Sequence, residues 1–213
     1  MALRITEIFH SLQGETRTVG IPTVFVRLTG CPLRCAWCDT AYAFSGGETM
    51  EIGAVIEQVA KWDCGYVTVT GGEPLAQAEC HRLLRALCDR DYRVSLETSG
   101  AMPLADVDGR VCIVMDLKAP ASRESHRNRY ENLEHLRRSD QLKFVIQDRG
   151  DYEWSAAQIR QRGLAGKVDE ILFSPVHGEL APALLAQWIL DDRLPVRMQI
   201  QLHKLLWNAE PGR

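Results

Sequence analysis

The sequence predicts an α/β fold, a shortened, open TIM-like barrel of parallel strands. Three observations carry that expectation. Short β-branched and apolar runs alternate with helical stripes, and such alternation means a parallel sheet with helical crossovers. The residues least suited to a plain core collect where those strands end, the edge at which parallel α/β folds build active sites. At 213 residues the chain is shorter than the roughly 250 that a closed eight-unit barrel takes.

The strands come first from β propensity. Thr23–Leu28 opens the series, with Thr23, Phe25 and Arg27 on one face and Val24, Val26 and Leu28 on the other. Ile52, Val55, Ile56, Val59 and Ala60 then follow one helical face. Tyr66–Thr70 is the next strand, followed by a helix whose stripe is Cys80, Leu83, Leu84, Leu87 and Cys88. Arg93–Glu97, Val111–Asp116 and Leu142–Ile146 continue the strands, with a weaker helical pattern over Tyr152–Arg162. Glu170–Phe173 precedes the stripe Leu180, Leu184, Leu185, Trp188 and Ile189, and Val196–Leu202 is the last strand. Beside Met198, Ile200 and Leu202 alternate Gln199, Gln201 and His203, a hydrogen-bonding face that reads as a wet lumen.

Length and charge bound the function. One domain over residues 1–213 is expected, since the chain is too short for two of ordinary size. A net charge of −3 with interspersed signs gives no argument for wrapping nucleic acid or coating a membrane. Seven cysteines, an odd number, and no apolar leader after Met1-Ala2-Leu3-Arg4 point to a cytoplasmic protein without a disulfide framework. No stretch is apolar enough to span a bilayer.

Chemistry concentrates in Gly30-Cys31-Pro32-Leu33-Arg34-Cys35-Ala36-Trp37-Cys38. A loop this tight puts three thiolates within reach of one metal centre but supplies only three. Structural zinc normally takes four ligands, and an ordinary electron-transfer cluster takes a fourth cysteine. Cys64, Cys80, Cys88 and Cys112 are scattered, and Cys80 and Cys88 fall on an apolar stripe where cysteine acts as a small hydrophobe. Three ligands on a four-iron cluster leave one iron open to a small molecule. Gly71-Gly72-Glu73-Pro74 follows a strand, and its glycines allow close backbone approach to a ligand or simply make the turn. Arg27, inward on its strand, needs a carboxylate partner, from a ligand or from the protein.

These motifs resemble the radical S-adenosylmethionine enzymes. With Leu12-Gln13-Gly14-Glu15, Arg27, Cys38-Asp39-Thr40, Glu97-Thr98-Ser99-Gly100 and Gln201-Leu202-His203-Lys204, the chain is similar from about Ile5 to Trp207 to the 7-carboxy-7-deazaguanine synthases. That resemblance implies a radical-SAM barrel, a lyase of queuosine (7-deazapurine) biosynthesis, a step that serves tRNA modification. The family turns 6-carboxy-5,6,7,8-tetrahydropterin into 7-carboxy-7-deazaguanine and ammonia, with S-adenosylmethionine regenerated after each turnover. It further implies a 4Fe-4S cluster on Cys31, Cys35 and Cys38, and Mg²⁺ on Thr40. Trp37, Cys38, Asp39, Gly72, Glu73, Ser99, Asp116, Lys118 and Ser174 would contact S-adenosylmethionine, with Glu73 or a free carbonyl taking its ammonium.

Leu12, Gln13, Gly14, Glu15, Arg27, Thr70 and His203 would contact the pterin, and no catalytic residue is implied beyond cluster and cofactor. An electron donor such as flavodoxin or ferredoxin and a homodimer are the implied partners. Asp116-Leu117-Lys118 departs from the Ser-Pro-Lys of some relatives, and the tail 207–213 runs past the point where some of them end. Two other readings fit fewer motifs. An activase that makes a glycyl radical on a partner protein would need a docking surface rather than a charged pocket. A zinc-stabilised binding module gives no reason for Gly-Gly-Glu-Pro.

Overall fold

In the computed structural model, which describes every residue except Ala209, Pro211 and Arg213, the alternation becomes one nine-stranded sheet. Its spatial order is β3 (Glu48–Glu51), β1 (Ala2–Leu12), β2 (Pro22–Leu28), β4 (Tyr66–Gly71), β5 (Arg93–Thr98), β6 (Cys112–Asp116), β7 (Gln141–Ile146), β8 (Glu170–Pro175) and β9 (Arg197–Met198). Every neighbouring pair from β2 to β9 is parallel. β1 runs antiparallel to both β2 and β3. The outer strands β3 and β9 do not pair, so the barrel is open.

Strand alternation sorts the two faces. Val24, Val26 and Leu28 of β2, Val67 and Val69 of β4, and Leu142, Phe144 and Ile146 of β7 all enter the hydrophobic core. That core lies between the sheet and the helices α1 (Ile52–Val59), α2 (Cys80–Cys88), α3 (Arg149–Gln161) and α4 (Pro182–Asp192). The positions between them, among them Thr68, Thr70, Ser95, Glu97, Gln141 and Lys143, turn to the inside of the barrel. Phe25 and Arg27 do the same on β2. An ordinary parallel sheet is apolar on both faces; this one is polar on one.

Local chemistry starts and stops the helices. The Asp148 side chain accepts from the Asp151 N–H at 2.9 Å, capping α3, and Tyr152 Oη donates to the Trp188 carbonyl at 2.9 Å, fixing α3 to α4. On α2 all five stripe residues are buried, as their spacing predicts. On α4 only Leu185 is fully buried, because the helix lies over the sheet's edge and leaves Leu184 45 % exposed.

The sequence pattern misses both antiparallel strands. β1 reads Ala-Leu-Arg-Ile-Thr-Glu-Ile-Phe-His-Ser-Leu, and its mixed polar content reflects a strand exposed to a cavity rather than to core. The expected strand Val196–Leu202 is corrected: β9 keeps two residues, and Leu202–Trp207 forms a short helix, α5. Gln199, Gln201 and His203 therefore do not share a strand face; His203 enters the site from α5. Pro74 begins a short 3-10 turn, Pro74–Ala76, and α2 starts only at Cys80.

Packing sets the expected stability response. Leu84 on α2 is fully buried, so Leu84→Ala should destabilise the chain by about 3 kcal/mol. Leu190→Ala, at a position 71 % exposed, should change it by less than about 0.5 kcal/mol. Urea unfolding of the two variants checks both.

Candidate functional site

The loop from β1 to β2, residues 13–21, is exposed at Val19 and Gly20 but buried over its first four residues. It tucks into the amino-terminal end of the open barrel, where Gln13, Glu15 and Thr16 are buried. Thr16 takes a positive φ of 69°, a backbone state that costs a non-glycine residue about 1 kcal/mol. Buried N–H groups need partners, and inward side chains provide them. Gln199 Oε1 accepts from Thr16 N and Gln141 Oε1 from Arg17 N, each at 2.8 Å. Gln13 Nε2 reaches Thr68 Oγ1 and Glu97 Oε1, each at 3.2 Å.

Above this plug lies a cavity of about 340 Å³, opening at the carboxyl ends of the strands. Its base is ionic. Lys143 of β7 pairs with Glu15 Oε2, while Gln201 Nε2 donates to Glu15 Oε1 at 2.7 Å. Burial opposes the charged form of Glu15, but Lys143 and Gln201 outweigh it and hold the carboxyl below its usual pKa. Burial, reinforced by the nearby Glu15, pushes Glu97 the other way. Burial also works against a charged Lys143, and the carboxylates of Glu15 and Asp116 more than reverse it.

Arg27 closes one wall. Its Nε donates to Glu7 Oε1 at 2.6 Å, and Tyr42 Oη donates to the same oxygen at 2.8 Å. Its guanidinium lies 5.8 Å and 5.9 Å from the Phe9 and Tyr42 ring centres. The carboxylate that neutralises Arg27 is thus a protein group on β1, and the guanidinium still faces the cavity. On the opposite wall Gly14 packs under His203: a Cβ on Gly14 would sit 2.3 Å from His203 Nδ1. Asp39 accepts from Lys204 Nζ at 2.8 Å and from Thr40 Oγ1 at 2.9 Å; burial opposes its charge, and Lys204 still holds it well below the ordinary carboxylate range.

The cysteine loop follows β2 beside the cavity. Cys38 N donates to Cys35 O at 3.2 Å, and the Leu33 N–H points at Cys31 Sγ at 3.4 Å. Burial pushes the Cys35 thiol up to about 11 against the pull of Lys118. No three His, Cys, Asp or Glu side chains among the described residues converge closely enough to hold a metal ion. Three features nevertheless fit a cluster with a bound small molecule. The thiol donors are three on one short loop. A Cβ on Gly72 would lie 2.3 Å from Gly30 O and 2.7 Å from the Cys31 Cβ, so only glycine leaves that approach open. Asp116 Oδ1 is buried without a hydrogen-bond partner at the cavity wall, while Oδ2 takes Lys118 Nζ at 2.8 Å.

Of the residues singled out from sequence, Leu12, Gln13, Gly14, Glu15, Arg27 and Thr70 line the cavity. So do Asp39, Thr40, Gly72, Ser99, Asp116, Lys118 and His203. Trp37, the three loop cysteines, Glu73 and Ser174 do not; Ser174 is buried on β8. Glu73 is fully buried, and its oxygens already accept from Leu75 N at 3.1 Å, Thr98 Oγ1 at 2.8 Å, Ser99 N at 2.7 Å and Ser99 Oγ. That leaves backbone carbonyls, not Glu73, to meet an incoming ammonium. Sequence reasoning misses Glu7, Tyr42, Lys143 and the place of Glu97 on the cavity wall. An inward lysine in Leu142–Ile146 is the one signal that could have revealed Lys143. Glu210 and Gly212 of the tail also line the cavity; Ala209, Pro211 and Arg213 lie outside the described residues.

Residues 25–141 match the Radical SAM superfamily. A 7-carboxy-7-deazaguanine synthase of Koribacter versatilis (strain Ellin345) is 45 % identical over 98 % of this chain and 98 % of its own. The enzyme of that name from Chlorobaculum tepidum is 46 % identical over 98 % of this chain and 96 % of its own. The crystal structure of QueE from Escherichia coli shares the fold, with a TM-score of 0.77 at 22 % identity over 95 % of each chain. No helix among the described residues is long and apolar enough to cross a membrane.

His203 gives a pH test. Burial lowers its pKa from 6.5 against the opposing charges of Glu15 and Asp39, so the unfolded chain takes up the proton first. Its stabilising share is complete above about pH 7 and is lost as pH falls through the ordinary histidine value toward the folded one. The thermal midpoint should drop over that interval, and the drop should shrink in His203→Gln.

Proposed function

The chain belongs to the 7-carboxy-7-deazaguanine synthases of the radical SAM superfamily, and from that premise we propose that it converts 6-carboxy-5,6,7,8-tetrahydropterin into 7-carboxy-7-deazaguanine with release of ammonia. The carrying observation is the cavity, which sets a guanidinium and a buried carboxylate beside a three-cysteine loop. Its volume falls within the roughly 300–1,000 Å³ usual for small-ligand sites. A zinc-stabilised module and a glycyl-radical activase give way to the family membership.

A 4Fe-4S cluster and S-adenosylmethionine, when bound, supply the one-electron cleavage that makes hydrogen abstraction from an unactivated C–H bond possible. The chain's part is to hold and orient. Cys31, Cys35 and Cys38 would hold three irons, giving up their thiol protons on loading. Gly72 and the Glu73 backbone would admit the methionine end of the cofactor, with Ser99 positioned by the Glu73 carboxylate. Asp116, through its free Oδ1, and Lys118 would take the nucleoside side, with Trp37, Asp39 and Ser174 as flanking groups.

Arg27 would pair with the substrate's 6-carboxylate, its terminal nitrogens left over while Glu7 holds Nε. Glu15 would accept the aminopyrimidinone N–H groups, with Leu12, Gln13, Gly14, Thr70 and His203 around the ring. Thr40 would hold Mg²⁺, which needs few protein ligands and suits a Lewis-acid role at the carboxylate. A single domain over residues 1–213, a homodimer, flavodoxin or ferredoxin as electron donor and a cytoplasmic site complete the reading.

Anaerobic turnover of the reconstituted protein with reductant, S-adenosylmethionine and Mg²⁺, followed by mass spectrometry, should give 7-carboxy-7-deazaguanine. Cleavage of S-adenosylmethionine with the pterin untouched would sink the substrate assignment. Glu7→Gln removes the charge that fixes Arg27, and should raise KM for the pterin about tenfold with kcat nearly unchanged. An equal fall in kcat would count against that positioning role.

A further inference from the structure

The floor of the cavity holds one cation whose hydrogen-bonding capacity its protein neighbours do not use up. Four side-chain donors among the described residues are tied to Glu15 and Glu97, and their protons can be counted. Gln13 Nε2 carries two and gives them to Thr68 Oγ1 and Glu97 Oε1, each at 3.2 Å. Gln201 Nε2 gives both of its own to Glu15 Oε1 at 2.7 Å and Asp39 Oδ2 at 3.2 Å. The single hydroxyl proton of Thr70 goes to Glu97 Oε2 at 3.0 Å. Lys143 is different. Its ammonium has three donors, and among the described residues it makes one hydrogen bond, to Glu15 Oε2.

Neutralising Glu15 does not by itself account for this lysine. Burying an ion pair costs desolvation on both sides, and the attraction offsets that cost only when the remaining protons are also bonded. Lys143 is 15 % exposed and lines the cavity. Burial works against its charge, yet the carboxylates of Glu15 and Asp116 keep it protonated, so it donates and does not accept. Its place is rigid. The Lys143 carbonyl accepts from Leu117 N at 2.9 Å, and the β6–β7 pairing sets Lys143 in register with Asp116.

We propose that Lys143 is a specificity residue, donating to the 4-oxo oxygen of the pterin while its partner Glu15 accepts from N3–H and the 2-amino group. The inference rests on the pterin reading above and adds the residue that reads the carbonyl of that ring edge. A 2-amino-4-oxopyrimidine edge presents, in order, an acceptor, a donor and a donor. A carboxylate matches the two donors and repels the acceptor, so the oxygen needs a donor beside Glu15. The ammonium paired to that same carboxylate stands there. A 4-amino group in this place would turn N–H toward N–H and leave the lysine protons unbonded, which a site built this way rejects.

The test measures equilibrium binding by calorimetry to the holoenzyme with S-adenosylmethionine and Mg²⁺ but no reductant, so that no turnover occurs. The probes are pterin-6-carboxylate, 2,4-diaminopteridine-6-carboxylate and lumazine-6-carboxylate, which differ in having 4-oxo with 2-amino, 4-amino, or 2-oxo groups. The parent should bind the first about tenfold or more tightly than either of the others. In Lys143→Met the preference over the 4-amino acid should fall to within about threefold, while the preference over the 2-oxo acid persists. Lys143→Gln, whose amide can turn either its oxygen or its NH2 to the ligand, should lose the same preference. Simple charge neutralisation would instead weaken all three ligands together. A parent that binds the 4-oxo and 4-amino acids equally overturns the proposal, whether or not either variant folds. So do variants that lose affinity for all three with their preferences unchanged. A parent that binds none of the three overturns the pterin reading, and this proposal with it. A Lys143-dependent 4-oxo preference without turnover of the tetrahydropterin would support the assignment and overturn the reaction instead.

Discussion

A loop buried inside a sheet is the constraint from which the rest of this architecture follows. Residues 13–16 fill the lower bore of the open barrel, and their backbone groups are shut off from bulk water there. Gln13 N bonds Ile21 O at 2.9 Å and Gly20 N bonds Gln13 O at 2.8 Å, closing the loop on itself. The N–H groups of Thr16 and Arg17 need side chains from β9's neighbour Gln199 and from Gln141 on β7. An orphaned buried amide costs about 1–3 kcal/mol. The inner face of the sheet is polar because this loop has to be satisfied, and the polar cavity is what remains above it.

Once that face is polar, charge has to balance. Glu15 and Glu97 face the same small space, and Lys143 is the cation set directly against Glu15. The balance is asymmetric: Glu15 is held ionised by its pair with Lys143, whereas Glu97 is pushed toward its neutral form. Both oxygens of Glu97 accept, from Gln13 Nε2 at 3.2 Å and from Thr70 Oγ1 at 3.0 Å, so the two carboxyls differ in their charge balance rather than in their hydrogen-bonding sense. Arg27 is balanced separately, on the wall, by Glu7 and Tyr42.

The parallel half of the fold was legible because helix-facing positions of β2, β4 and β7 are uniformly apolar and the α2 stripe is fully buried. β1 and β3 were not, since β1 borders the cavity and β3 is a four-residue edge strand, and neither carries clean alternation or an apolar run. The strand read over Val196–Leu202 failed for a related reason. Its alternating glutamines bond the plug and Glu15 individually rather than lining one sheet face, and the chain turns helical once Gln201 has made its contact. In the site, residues set in loop motifs could be named from spacing. Glu7 and Lys143 could not, because each matters through a partner far away in sequence: Glu7 through Arg27, Lys143 through Glu15 across 128 positions.

Rigidity is unequally distributed around the cavity, and the inequality matches what each wall has to do. The Gly71–Pro74 side is locked: Glu73 N bonds Gly30 O at 2.8 Å, and the buried Glu73 carboxylate gathers four donors from its own turn and from Thr98 and Ser99. A side chain tied this fully cannot adapt, so it serves best as a brace that fixes where glycine backbone stands relative to the cysteine loop. The opposite side is built from α5, six residues with Leu205 68 % exposed, and from Glu210 and Gly212 beyond it. Few apolar contacts hold that wall, and a weakly packed element opens locally at little cost. The cavity is thus bounded by a braced wall at the cysteine side and by a thinly packed one at His203 and Lys204, held chiefly by the Leu202 N–Gly14 O bond at 3.0 Å and the Lys204–Asp39 pair at 2.8 Å.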